Sequence, residues 1–448
     1  MRHHVLFTLV LVMLPYSMSS GEILGDNNVR RLPPARAGNA DASTPPDGQV
    51  QLAQYTPAEV AMQPASPTAI ALTQPLSIER SLSVTGPANN FTAFPEFDGG
   101  ITIGGESVAM KIGGYIKADL IKDFNAIESS DSFDTTSIPT NAEDYQNARM
   151  HARQSRLSFD TRWKTHEQTA RAFVEGDFFG GQPDNSSFRL RHAYGTLGHL
   201  TIGQTWTTFT DPSAVPQTLD VEGAVSNVNR RQGLVRWEQP FTRDVSWAIG
   251  LENPRIDIEA PAQRMGNART ELPDFIARLR LERDWGEFQA ASVIRTLGFQ
   301  PLGANVIHET GWGLNFTGSF LLVDSTKAYF QITTGDGIGS YRGSPDVVAT
   351  GPDTLALLDT FGWMVGVHHG WTESLTSNVT FSKLAVEDVP GQDATNLRGT
   401  TYLAANLIAN PYERVFVGVE YLYGARQNVD GAVGSANRMQ FSCGFFLP

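Results

Sequence analysis

The feature that most constrains this chain is the alternation of apolar and polar residues that begins near Ser107 and continues to Phe446. Ile112 and Leu120 fall on one parity of this pattern, whereas Asp119 falls on the other. Residues two apart in a strand share a face, so the pattern predicts strands with one apolar and one polar face. About sixteen such segments follow one another, each roughly as long as the tilted strand of a membrane barrel.

Alternation alone is compatible with either a soluble barrel or sandwich or a transmembrane β-barrel. No segment approaches the ~18 consecutive apolar residues of a transmembrane helix, so a membrane protein with this sequence must be a closed barrel. Aromatic residues near the predicted strand ends, among them Trp163, Trp206, Trp237 and Trp285, are typical of the belt at a membrane interface. We therefore predict an all-β fold, a transmembrane antiparallel barrel of about 16 strands covering residues 106–448.

The N-terminus has the organisation of a secretory signal peptide. Arg2 precedes an apolar run from Val5 to Leu14, which is too short to span a bilayer, and Ser17 and Ser19 are suitable residues around a cleavage point. We predict a signal peptide at residues 1–19 and a bacterial outer-membrane location reached through the periplasm. The single cysteine, Cys443, suits passage through an oxidising compartment.

Residues 20–105 differ in composition from the rest of the chain. Pro, Ala, Gln and Thr dominate this stretch, for example at Thr44-Pro45-Pro46, and no strand or helix period runs through it. Such a segment buries too little apolar surface to offset the entropy lost on ordering. We therefore predict a low-complexity periplasmic extension without a packed core.

Charge and motif content exclude several function classes. The formal net charge of −13 disfavours general nucleic-acid binding, which requires a basic surface. His368 and His369 are adjacent on a predicted strand and point to opposite faces, so they cannot readily chelate one metal ion. No nucleophile signature accompanies the histidines or aspartates. We predict neither a catalytic site nor a metal site nor a cofactor.

Arginine supplies most of the 34 basic residues, and several arginines lie opposite the apolar face of their strands. The predicted pore-lining arginines are Arg153, Arg156, Arg171, Arg189, Arg191 and Arg236. The predicted connection between residues 208 and 229 carries Asp211, Asp220 and Glu222, and a long connection of a barrel that folds inward narrows the lumen. An arginine row opposite an acidic loop would create a transverse field that orients charged solutes. The alternative is that these arginines only pair with nearby acids and brace the barrel.

Several motifs together resemble the DcaP-like family of outer-membrane porins. The motifs occupy 111–119, 153–157, 175–179 and 189–194, and the resemblance extends over roughly residues 97–239. It implies a homotrimer of barrels of about sixteen strands that passes small anionic solutes, usually dicarboxylates. One departure is that the family often has a helical, coiled-coil extension, whereas the extension here is rich in proline.

The resulting hypothesis is an outer-membrane porin, embedded in outer-membrane lipid as a homotrimer, for the diffusion of small anions such as carboxylates or dicarboxylates. Two alternatives belong to other classes. One is an outer-membrane enzyme built on a barrel, and the other is a plugged structural or adhesive barrel. Single-channel conductance separates the porin from both alternatives.

Overall fold

In the computed structural model, residues 101–102, 108–141, 143–166, 168–260, 265–351 and 353–447 are described. The predicted signal peptide, residues 1–19, lies outside them. So does the predicted extension at residues 20–105, apart from a two-residue strand, Ile101–Thr102, that pairs with Met110 and Ala109.

The described residues form a closed antiparallel barrel of sixteen strands, as the alternation predicted. Each strand pairs with the next along the chain, and the last strand pairs with the first, from Tyr115 opposite Phe446 to Asp123 opposite Arg438. The strands are β1 Val108–Asp123, β2 Asn147–His151 with Arg156–Thr165, β3 Gln168–Gln182, β4 Asn185–Leu197, β5 Leu200–Trp206, β6 Arg231–Pro240, β7 Val245–Glu252, β8 Asp274–Arg283, β9 Gly286–Pro301, β10 Ile307–Val323, β11 Thr326–Asp336, β12 Asp359–Thr372, β13 Leu375–Val386, β14 Leu397–Tyr412, β15 Val415–Asn428 and β16 Val433–Phe446.

Strand β2 is interrupted between its two parts. Asn147–His151 pairs with the end of β1, and Arg156–Thr165 pairs with its beginning. Residues 152–155 leave the ladder between them, and Ser155 donates its hydroxyl to the carbonyl of Lys117 on β1 at 3.3 Å. Both parts therefore count as one position in the barrel wall.

The two ends of the barrel differ in the length of their connections. Short hairpin turns lie at one end, and four long connections lie at the other: L1 at 124–146, L3 at 207–230, L4 at 253–273 and L6 at 337–358. These connections carry the short strands Ile258–Glu259, Gly266–Arg269, Val347–Gly351 and Thr354–Leu357. L4 and L6 are joined directly, because Ile258–Glu259 pairs with Val347 and Val348.

Helical structure among the described residues is limited to three 3-10 turns, Thr135–Ser137, Pro212–Ala214 and Gly339–Tyr341. Within the described part of the chain, no helix is long and apolar enough to cross a membrane.

The barrel exposes apolar side chains and buries polar ones, which is the reverse of a soluble core. On the outer face Ile112, Phe316 and Val417 are 43%, 49% and 41% exposed. On the inner face Gln331 and Thr333 are fully buried. An apolar exterior around a polar interior is the arrangement expected of a barrel whose solvent is lipid.

The prediction that Trp206 belongs to an interfacial aromatic belt is wrong. Trp206 is 3% exposed and lies inside the barrel, where it packs against Val215 of L3 and under the guanidinium of Arg231, 4.3 Å from the ring centroid. Trp237 and Trp285, by contrast, are 42% and 53% exposed on the outside near the turn end. Position near a strand end therefore did not identify the face on which the ring lies.

Candidate functional site

Connection L3 runs through the inside of the barrel. All its residues are buried except Gln217, which is half-buried. Two aspartates shape its backbone locally: the carboxylate of Asp211 accepts from the amide of Ser213 at 3.0 Å, and that of Asp220 accepts from the amides of Glu222 and Gly223 at 2.9 and 3.0 Å. These bonds satisfy buried amides that no ladder supplies.

Side chains on one side of the wall hold L3 in place. The carboxylate of Glu420 on β15 accepts from the amides of Leu219 and Asp220 at 2.9 and 2.7 Å. Lys117 on β1 donates to the carbonyl of Leu219 at 2.6 Å. Further bonds to L3 come from inward residues of β10, β11, β14 and β16, namely Asn315, Thr317, Lys327, Gln331, Asn406 and Gln440. Most of these bonds fasten L3 to the β10–β1 side of the lumen, and on the opposite side the carboxylate of Glu252 on β7 accepts from the amide of Thr208 at 2.7 Å.

The opposite side, β2 to β8, carries most of the predicted arginines. We call eight inward-facing arginines of these strands the arginine wall: Arg156, Arg162, Arg171, Arg189, Arg191, Arg236, Arg278 and Arg280. Its first cluster lies on β2, β3 and β4. Glu175 is 3.3 Å from the guanidinium of Arg156 and 3.0 Å from that of Arg191. Asp177 is 2.8 Å from Arg191 and 2.5 Å from Arg189. Three guanidiniums thus share two carboxylates.

The second cluster of the arginine wall is centred on Asp160. Arg171 forms two hydrogen bonds of 2.8 Å with this carboxylate and donates to the hydroxyl of Tyr194 at 2.9 Å. Arg162 lies 3.5 Å from the same carboxylate. Two arginines share one acid here.

In the third cluster, two arginines again share one carboxylate, that of Glu238. Arg278 lies 2.7 Å from its carboxylate, and Arg236 lies 3.9 Å away. Arg278 was not among the predicted site residues, although it has the inward parity of β8 and the alternation could have identified it. The pairing of the two arginines through one acid depends on register between β6, β7 and β8, which the sequence does not show.

In the fourth cluster, carboxylates outnumber arginines. Arg280 forms ion pairs with Glu282 and Glu287, at 2.7 Å in the case of Glu282. Over the four clusters, eight arginines face six carboxylates. The arginine wall is therefore ion-paired throughout, yet it keeps a small excess of positive charge.

The remaining predicted site residues lie in three different settings. Arg153 is outside the arginine wall, where it pairs with Asp131 of L1 at 2.6 Å and donates to the carbonyls of residues 179–181. Asp211 and Asp220 are engaged with the backbone of L3, and Asp211 also accepts from Thr317. Their carboxylates therefore do not pair with the predicted arginines.

Glu222 is the acidic residue of L3 whose pKa is influenced by an arginine of the arginine wall. Burial raises the pKa of its carboxyl well above the usual value, as do the charges of Asp134 and Asp220, whereas Arg189 and Arg231 lower it. Among the described residues, no group of three or more His, Cys, Asp or Glu side chains has the geometry to hold a metal ion.

Comparisons with known proteins agree with this geometry. The family model described as DcaP outer membrane protein matches residues 96–267. The outer membrane channel DcaP of Acinetobacter baumannii is 21% identical, with a TM-score of 0.70 over 76% of this chain and 98% of that chain. A loop L8 deletion mutant of OmpT from Vibrio cholerae is 12% identical, with a TM-score of 0.51 over 76% and 100%.

Salmonella typhi OmpF, in a structure with daunomycin, is 11% identical, with a TM-score of 0.51 over 76% of this chain and 98% of that chain. None of the curated protein sequences matches this chain. At these identities the solved structures establish the barrel fold, and the family match relates the chain to channels, not to barrel enzymes. Residues 96–267 thus resemble the DcaP outer membrane protein family, and the protein is a β-barrel channel of the bacterial outer membrane.

Proposed function

We propose that this porin passes small anions, carboxylates and dicarboxylates in particular, between L3 and the arginine wall. The observation that carries the proposal is the excess of one arginine over the carboxylates in each of the first three clusters. Most of the bonds that hold L3 come from the β10–β1 side, which supports a solute path on the arginine side of L3.

The chemistry of the arginine wall suits transient binding of a carboxylate. Carboxylates make a planar, two-point contact with a guanidinium, and a charged solute can compete for such contacts with the acids already present. Charges act more strongly in a narrow, partly dehydrated lumen than in bulk water. The acids in the same clusters limit this attraction, and a solute must bind weakly enough to leave again.

Replacing Arg189 and Arg191 together by glutamine is expected to shift selectivity toward cations. Two positive charges leave the first cluster while Glu175 and Asp177 remain. Reversal potentials would be measured in planar bilayers across gradients of potassium chloride and potassium succinate. The wild-type preference for anions should weaken at high salt, because the screening length falls to about 3 Å at 1 M.

The matched control removes two arginines at the turn end, Arg243 and Arg283, by the same change to glutamine. Arg243 is exposed, and the Arg283 side chain is 51% exposed. This control should leave the reversal potential at the wild-type value. If the Arg189 and Arg191 double variant also keeps that value, the arginines only brace the barrel.

We further propose that the barrel assembles as a homotrimer whose interface includes β5 to β7. β5 has 7 residues and β7 has 8, whereas β10 has 17. A tilted strand needs about 9–11 residues to cross the hydrocarbon layer. β5 and β7 are shorter than this, so we expect their outer face to be covered by a neighbouring subunit. Light scattering of the detergent complex should give the mass of three chains; the mass of one chain would contradict the proposal.

A further inference from the structure

Connection L6 is buried inside the barrel almost as completely as L3. From residue 337 to residue 349, every residue is buried except Gly343 and Pro345, which are half-buried. Connections between strands normally run over the protein surface, because their backbone polar groups need hydrogen-bond partners that water supplies. A connection that enters the barrel needs such partners on the inner wall, and it occupies part of the lumen.

Arg295 on β9 supplies several of these partners from the wall. The residue is 2% exposed, and its Nη1 lies within 3.1 Å of three acceptors of L6. These acceptors are the carbonyl of Gly337, the hydroxyl of Ser340 and the carboxylate of Asp346. Its Nη2 donates to the carbonyl of Arg255 in L4. One guanidinium thus holds L6 at three points and joins L4 to it.

The tip of L6 is the 3-10 turn Gly339–Tyr341, which reaches β8 and L3. The hydroxyl of Tyr341 donates to the carboxylate of Asp274 on β8 at 2.7 Å, and this carboxylate lies 3.4 Å from Nε of Arg295. The Tyr341 ring packs edge-on against Phe209 of L3, with the two ring centroids 5.4 Å apart. L6 therefore follows the inner wall from β12 to β8 and contacts L3.

Inward-facing glycines of the wall make room for L6. A Cβ on Gly313 of β10 would lie 2.9 Å from the side chain of Ile338. A Cβ on Gly362 of β12 would lie 1.9 Å from Nη1 of Arg342. Both distances are shorter than a van der Waals contact, so a side chain at either position would collide with L6. The wall thus lacks side chains where L6 packs against it, which indicates that L6 is built to lie inside the barrel.

We propose that L6 is a second constriction loop, which narrows the lumen at the long-loop end, and that Arg295 is the positioning residue that keeps it there. Most bonds to L3 come from the β10–β1 side of the wall, whereas L6 is held along β8 to β12. The two loops together then limit the size of the solute that passes. The proposal concerns the width of the channel, so it does not depend on the proposed preference for anions.

The first test removes residues 340–343 from the full-length protein. The carbonyl of Gly339 accepts from the amide of Ser344 at 3.0 Å, so these two residues can be joined directly without stretching L6. The shortened loop should raise the single-channel conductance several-fold in planar bilayers. It should also admit larger polyethylene glycols, which are neutral and report channel width independently of charge. Wild-type conductance together with a wild-type limit for polymer entry overturns the second constriction.

Arg295→Gln tests the positioning residue separately. Glutamine cannot replace all the bonds of the guanidinium, so conductance and the size of the polymer that enters should both rise. Arg295→Lys keeps the charge but loses the planar fork, and it should give intermediate values. Because Arg295 acts through L6, adding Arg295→Gln to the shortened loop should change nothing further. Additive effects, or wild-type values for Arg295→Gln, overturn its role as the positioning residue of L6.

The matched control is Arg398→Gln at the same end of the barrel. Arg398 is exposed and pairs with Asp388 at 3.5 Å. Its conductance and its limit for polymer entry should equal those of wild type. If Arg295→Gln does not fold, Arg295→Lys with and without the shortened loop decides the result: an increase that disappears in the shortened loop supports the role of Arg295, and wild-type values overturn it.

Discussion

Replacing Glu420 by alanine is expected to increase the single-channel conductance several-fold. One carboxylate accepts from two consecutive amides at the tip of L3, and it also accepts from Asn406 at 2.8 Å. Hydrogen bonds to a charged group contribute roughly 1.5–3 kcal/mol each. Their loss therefore weakens the restraint on this part of L3, where Lys117 and Gln440 still donate to the carbonyl of Leu219. A loop that leaves its place no longer narrows the lumen.

The measurement is conductance in planar bilayers, with the distribution of open levels recorded for each variant. Glu420→Gln keeps a carbonyl acceptor for one of the two amides and should give an intermediate conductance. Glu413→Ala, in the exposed turn before β15, removes an acid without touching L3 and should match wild type. A Glu420→Ala channel with wild-type conductance would show that other bonds are sufficient to hold L3.

Arginine in place of Phe316 is expected to destabilise the barrel by about 2–4 kcal/mol, because Phe316 is 49% exposed on the outer face at the middle of β10. The same substitution at Val417 should cost only about 0–1 kcal/mol. Val417 is the third residue of β15, next to the turn end, where a charged side chain reaches the interface.

Both variants would be unfolded with guanidinium chloride from lipid vesicles, with tryptophan fluorescence as the readout. Phe316→Leu and Val417→Leu serve as matched controls that keep the apolar surface. The difference between the two arginine variants tests the depth of these residues in the membrane. Equal costs at the two positions would contradict the proposed placement of the hydrocarbon layer on the strands.

Much of the barrel could be predicted from the sequence, because the face on which a strand residue lies depends mainly on its immediate neighbours. The alternation alone places Ile112 outside and Asp119 inside, since neighbouring residues of a strand point to opposite faces. Turns such as Gly198, whose φ is +57°, are similarly determined by a few adjacent residues. For the same reason the inward parity of Arg156 was visible without the structure.

Alternation fails where the ladder is irregular. A bulge at Glu175 and Gly176 leaves Arg191 as an extra residue on β4, so Arg191 and its neighbour His192 are both buried inside, at 1% and 6% exposure. Parity would have assigned these neighbours to opposite faces. A bulge inserts one residue into one strand only, and its location depends on both strands.

The sequence by itself determined the class of fold, the number of strands and the inward parity of most wall arginines, because these follow from periodicity over a few residues. Only the tertiary structure decided which charges meet. Asp177 and Arg189 are partners through strand register, and Glu420 reaches L3 across 200 positions of sequence. Arg342 of L6 lies against Gly362 on β12. Such contacts depend on how the barrel closes and on the path of L3. A pattern over a few neighbouring residues contains no information about either.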